Sequence, residues 1–176
     1  NRTAGFHVHV DVNDLSLGQL INVSKNFLKY EYAMDSMMPV SRRGNSNTYL
    51  RSNRDNSVLN GPLGRSSNEQ AFGILSQCSS VVELAASMNP VGPRSRYSKL
   101  NLQNLVTQRQ PTLEFRQHSG TINYKKIAAW IRFVVAFVSN SARLKAPGWF
   151  DESSTSPEKE LEGLFQWVVK DRFLRD

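Results

Sequence analysis

Between Ala4 and Val12 the chain alternates without a break: Phe6, Val8, Val10 and Val12 fall on one side, His7, His9 and Asp11 on the other. A period of two marks a strand, whose successive side chains point to opposite faces. Such a strand needs a core against its valines, and it aims two imidazoles and a carboxylate into one space, about 7 Å apart along the strand. Thr112–Gln117 repeats the pattern, with Leu113 and Phe115 on one side and Glu114, Arg116 and then His118 on the other.

Helical spacing supplies the cover. Asp14 or Ser16 can cap a helix carrying Leu17, Leu20, Ile21, Phe27 and Leu28, which must end before Pro39. A second helix is expected from about Asn68 to Met88, where Asn89-Pro90 stops it. The longest, about Asn123 to Arg143, carries Ile127, Trp130, Ile131, Val134, Phe137 and Val138 over so wide an arc that it should be largely buried. After a break at Pro147-Gly148, Ser156-Pro157 reads as a cap and first helical residue, opening a helix with Leu161, Leu164, Phe165 and Val168. The pattern predicts an α+β fold in which the strands of His7 and Glu114 share one antiparallel sheet, with helices packed on one face. Residues 1–176 read as one domain, and the abrupt opening on a strand reads as a piece of something longer.

Ser41 to Ser67 is rich in Arg, Asn, Ser and Gly, with a turn signal at Asn60-Gly61-Pro62 and a possible short strand at Thr48–Arg51. It reads as a long loop, poor in apolar anchors. Gly92 to Tyr97 is a second turn bearing Arg94 and Arg96. The net charge of +7 would suit a polyanion, yet it is mostly arginine scattered through these loops, and the aromatic residues keep core periodicity. Small phosphate groups fit that distribution, and a nucleic-acid partner is not expected. Cys78 is the one cysteine, so no internal disulfide can form and a reducing, cytoplasmic setting follows. No apolar run is long enough to span a membrane.

The His7-x-His9-x-Asp11 face suits metal and phosphate chemistry, though His-x-His also occurs in metal-dependent amidohydrolases and cupins, so the dyad alone names no reaction. Glu114-x-Arg116 can be an exposed cross-strand pair. It can equally place an oxygen ligand for a divalent cation beside a planar fork for phosphate or carboxylate. No GxxxxGK[ST], GxGxxG or HExxH occurs.

Gly5-Phe6-His7-Val8-His9-Val10-Asp11, Tyr97-Ser98-Lys99-Leu100-Asn101-Leu102 and above all Thr112-Leu113-Glu114-Phe115-Arg116-Gln117-His118-Ser119-Gly120-Thr121 resemble the amidoligase family of glutamine-synthetase-like carboxylate–amine ligases. The likeness runs over about residues 3 to 140 and includes the helix of Trp130. It implies a glutamine-synthetase-like catalytic sheet cradling Mg²⁺ or Mn²⁺, on which ATP phosphorylates a carboxylate and an amine displaces the phosphate. It further implies that His7 and Glu114 are metal ligands and that His9, Arg51, Arg94 and Arg96 contact nucleotide phosphates. Arg116, with Arg96, would serve catalysis by holding phosphate or substrate carboxylate, and Tyr97 and Asn101 would line the pocket. The substrates implied are a small-molecule or peptide carboxylate and an amine. Relatives carry earlier strands with paired glutamates, and no Glu-x-Glu strand precedes Gly5 here, so the N-terminal strands look missing. Another chain or an upstream segment would then complete the site. The alternative is a non-catalytic, amidoligase-like structural or binding module within a larger assembly.

Overall fold

A computed structural model describes residues 4–60, 67–107, 110–146 and 156–175. Three short strands, β1 (Val8–Asp11), β2 (Leu100–Asn101) and β3 (Thr112–Phe115), form one antiparallel sheet in the order β1-β3-β2. The register pairs Val8 and Leu100 with Phe115, and His9 and Asn101 with Glu114. Two rows therefore run across the strands. Val8, Phe115 and Leu100 make an apolar row facing inward, and His9, Glu114 and Asn101 make a polar row on the other face.

Helices α1 (Leu17–Ser36) and α5 (Tyr124–Ser141) cover the apolar row. Phe27 of α1, Phe115 of β3 and Phe137 of α5 meet edge to face, with centroids 5.9 to 6.5 Å apart. All three rings are sealed from solvent, and each such burial contributes roughly 1.5–3 kcal/mol. The mixed helix-and-sheet architecture expected from the sequence is present, with His7, just ahead of β1, beside Glu114 of β3.

Of the two proposed caps for α1, Ser16 is the one used: its hydroxyl accepts from the Gln19 N–H while the Gln19 side chain accepts from the Ser16 N–H. α1, at 20 residues, exceeds the 18 of α5, which was expected to be longest. Nor is α5 buried all round. Ile131 and Val135 are 41% and 45% exposed, because α5 packs along one face only.

The single helix expected over Asn68–Met88 is two, α2 (Asn68–Ser76) and α3 (Val81–Met88). Cys78-Ser79-Ser80 breaks it. Ser80 Oγ accepts from the Glu83 N–H, and the Glu83 carboxylate reaches back to the Ser79 N–H at 2.7 Å, so side chains offer the backbone a new helix start. The last helical stretch comprises α6 (Pro157–Gly163), a π turn over Leu164–Val169 that buries Leu164 and Val168, and α7 (Arg172–Arg175). A short helix α4 (Gln103–Val106) links β2 towards β3.

The described part of the arginine-rich loop is anchored, contrary to the expectation of few apolar holds. Leu50 and Leu59 are buried, as are Arg42, Asn53 and Arg54. Arg51 sits beside Ser98 in a parallel bridge, donating to Tyr97 O and accepting from the Lys99 N–H. Thr48–Arg51 thus supplies two isolated bridges rather than a strand. The turn at Gly61-Pro62 and the Pro147-Gly148 break lie outside the described residues.

Candidate functional site

The polar row converges on one carboxylate. Glu114 Oε1 lies 2.8 Å from His7 Nδ1, 2.7 Å from Arg116 Nη1 and 3.8 Å from His9 Nε2, while Oε2 accepts from Asn101 Nδ2 at 2.7 Å. Burial works to raise the pKa of Glu114, but hydrogen bonds from His7 and Asn101 and the charge of Arg116 hold it down to about 2. Glu114 is therefore a fixed anion at neutral pH.

The two histidines differ in what they present. His7 turns Nδ1 to Glu114, and its Nε2 side lies against Gly5: a Cβ built at Gly5 would meet Nε2 at 2.6 Å and Arg42 Nη2 at 3.0 Å. Glycine at position 5 is what lets the imidazole lie there. His9 Nδ1 faces Thr112 Oγ1 at 3.1 Å and Asn104 Nδ2 at 3.4 Å. An amide nitrogen can only donate, so Nδ1 accepts and the neutral ring carries its proton on Nε2. His9 offers a donor, which suits an anionic oxygen.

A chain of aromatic and cationic groups continues from Arg116. Its guanidinium stands 6.0 Å from the Tyr97 ring centroid, and Arg96 stands 5.3 Å from the same ring. Arg96 also hydrogen-bonds the Tyr97 hydroxyl, which lowers that hydroxyl's pKa. Arg51 and Arg94 lie elsewhere, lining a neighbouring cleft of about 630 Å³ with Asn45, Asp55 and Asn56. The expected site residues thus fall into two adjoining groups: His7, His9, Glu114, Arg116 and Arg96 on the sheet face, and Arg51 with Arg94 in the cleft.

The fit to a divalent cation is incomplete. Glu114 keeps one lone pair of Oε2 unspent, and His7 has Nε2 as its one remaining donor atom. Mg²⁺ wants six donors, mostly oxygen. Among the described residues no group of three or more His, Cys, Asp or Glu is placed to hold a metal. These residues do not by themselves make a magnesium site.

The sequence reading passed over a set of charges buried behind the sheet. Lys99 Nζ donates to Glu31 Oε1 at 3.0 Å and to Asp35 Oδ2 at 2.5 Å, and all three side chains are sealed from water. Asp35 also accepts from the Gly44 N–H and from Gln117 Nε2; Glu31 Oε2 accepts from the N–H groups of Asn53 and Arg54. Burial works to lower the Lys99 pKa, but the two carboxylates outweigh it and raise it. This network ties α1 to the loop and, through Lys99 O accepting from the Arg116 N–H, to the strand end that carries Arg116. The available signal was Glu31 and Asp35 at helical i, i+4 spacing on the apolar side of α1.

The fold and its face together define a mixed helix-and-sheet domain that gathers cations and histidines around a buried carboxylate. The chain matches the family model described as "Putative amidoligase enzyme" over residues 1–138, and it belongs to that family. No curated protein and no solved structure matched it. No helix among the described residues is long and apolar enough to cross a membrane.

Proposed function

We propose that this chain is the nucleotide- and carboxylate-handling part of an ATP-dependent carboxylate–amine ligase on a glutamine-synthetase-like sheet. The observation that carries the reading is the convergence of His7, His9, Arg116 and Asn101 on Glu114 across two strand pairs, within the match to the amidoligase family. In the proposed reaction a substrate carboxylate oxygen attacks the γ-phosphorus of ATP and ADP departs. An amine nitrogen then attacks the acyl carbon, expels phosphate and loses a proton, leaving an amide.

The chain's own contribution is electrostatic. Arg116 and Arg96 neutralise oxygens on the transferring group or hold the substrate carboxylate, and the His9 Nε2–H together with Arg51 and Arg94 hold nucleotide phosphates. The family likeness implies Mg²⁺ or Mn²⁺. Glu114 and His7 are the donors this chain would give it, with the remaining ligands coming from another segment or chain. A reducing, cytoplasmic setting, with small-molecule or peptide substrates, belongs to the same reading.

The incomplete metal donor set favours a second reading, a non-catalytic amidoligase-like module within a larger assembly. ADP release by the full protein, screened over carboxylate and amine mixtures with ATP and Mg²⁺, separates the two. The ligase reading expects Glu114→Gln and His7→Ala each to lower release about 100-fold or more, as for lost electrostatic contacts in active sites. Release unaffected by both substitutions, or no release from any mixture, would leave the binding-module reading standing.

A further inference from the structure

A second cavity, about 460 Å³, lies between the end of α1, the segment after β3 and the inner face of α5. That volume falls within the range of about 300–1,000 Å³ typical of small-molecule pockets. His118, Trp130, Phe133 and Phe165 line it, with Arg43 and Lys126. The aromatic wall is continuous: Trp130 stacks on Phe133 at 5.2 Å, His118 lies 5.4 Å from Trp130, and Phe165 lies 5.8 Å from Phe133. Trp130 is 5% exposed, and its indole nitrogen makes no hydrogen bond.

The charges in this wall have one sign. The Met38 and Ser36 carbonyls fix Arg43, accepting from its Nε and Nη2. Among the described residues, Lys126, on the first turn of α5, forms no ion pair and no carboxylate lines the cavity. None of the residues around Glu114 takes part.

We propose that this cavity binds a small organic anion with an apolar body, an aryl or branched-alkyl carboxylate, whose hydrocarbon part lies against the aromatic wall and whose carboxylate meets Lys126 and Arg43. A neutral ligand of the same shape gains the wall but not the cations. A simple inorganic anion gains the cations but leaves the wall dry and unfilled.

Isothermal titration of the intact protein with 3-phenylpropionate and with its neutral amide tests the assignment. The indole N–H resonance of Trp130, identified through Trp130→Phe, locates the binding. The acid should bind about tenfold more tightly than the amide, and Lys126→Gln should weaken the acid several-fold while leaving the amide unchanged, as expected for charge-assisted contacts. Lys126 is exposed, so this variant should fold. Equal binding of acid and amide, indifference to Lys126→Gln, a Trp130 resonance that stays in place, or no heat at millimolar ligand would each overturn the proposal.

Discussion

Asn101 Nδ2 donates to Glu114 Oε2 across 2.7 Å, in the register that sets these two residues side by side on β2 and β3. The carboxylate is thus aimed by backbone pairing as well as by its ionic partners. His9 faces it from the opposite strand in the same row, so a shift of β1 or β2 by one residue would turn that strand's member of the row away from Glu114.

The pH dependence of stability should report this arrangement. The folded Glu114 pKa of about 2 lies below its ordinary 4.5. For a depressed carboxyl, the stability from the charged form is fully present above the ordinary value and is lost as pH falls through the folded one. Urea unfolding of the native chain and of Glu114→Gln should therefore differ little near pH 2, diverge up to about pH 4.5 and run parallel above it. A gap that stays constant across that window would mean the carboxylate is not held charged by its neighbours.

Lys99 should be far less replaceable than its absence from any motif role suggests. Lys99→Met leaves Glu31 and Asp35 facing each other without water or a cation, and breaking a buried pair in this way costs about 3–5 kcal/mol. Adding Glu31→Gln and Asp35→Asn should recover a large share of the loss, since no unpaired charge then remains. Chemical denaturation of the single and triple variants gives the comparison, and a triple variant no more stable than the single would contradict the network.

Much of the sheet was legible because alternation is a strong signal: Val8, Leu113 and Phe115 face inward and His9 and Glu114 outward, as the period of two requires. The break at Ser79-Ser80 was hidden because apolar spacing runs through it, and only the Ser80–Glu83 capping pair marks it. The Lys99 network was illegible for a different reason. A charge on an apolar helix face looks like a solvated edge until its partner, far away in sequence, is placed against it. The separation of Arg51 and Arg94 from Glu114 is likewise a matter of loop path, which composition does not encode.

Gly5→Ala should disturb the site without touching its chemistry. The added carbon would stand 2.6 Å from His7 Nε2, closer than packing permits, so the imidazole must leave its place beside Glu114. A loss of about 1–3 kcal/mol is the usual range for such overfilling. A crystal structure of the variant with the His7–Glu114 contact still at 2.8 Å, or unchanged thermal unfolding, would show that the glycine is not what seats the ring.

The middle of the arginine-rich loop behaves as core even though its composition reads as open. Asn53 and Arg54 each donate their backbone N–H to Glu31 Oε2 at 3.0 Å, and Asn53 Nδ2 donates to the Met88 and Leu100 carbonyls. Those two amides can exchange only when the α1 contact opens, so in native-state hydrogen exchange they should be protected to nearly the level of global unfolding, without nucleotide present. Tyr49 and Val58, exposed on the same loop, should exchange much faster. Glu31→Gln keeps an acceptor oxygen but removes its charge and its attraction to Lys99, and should accelerate Asn53 and Arg54 selectively. If those amides instead exchange as fast as Tyr49 in the native chain, the loop is not anchored through Glu31, and its order would have to come from a nucleotide rather than from the buried carboxylate.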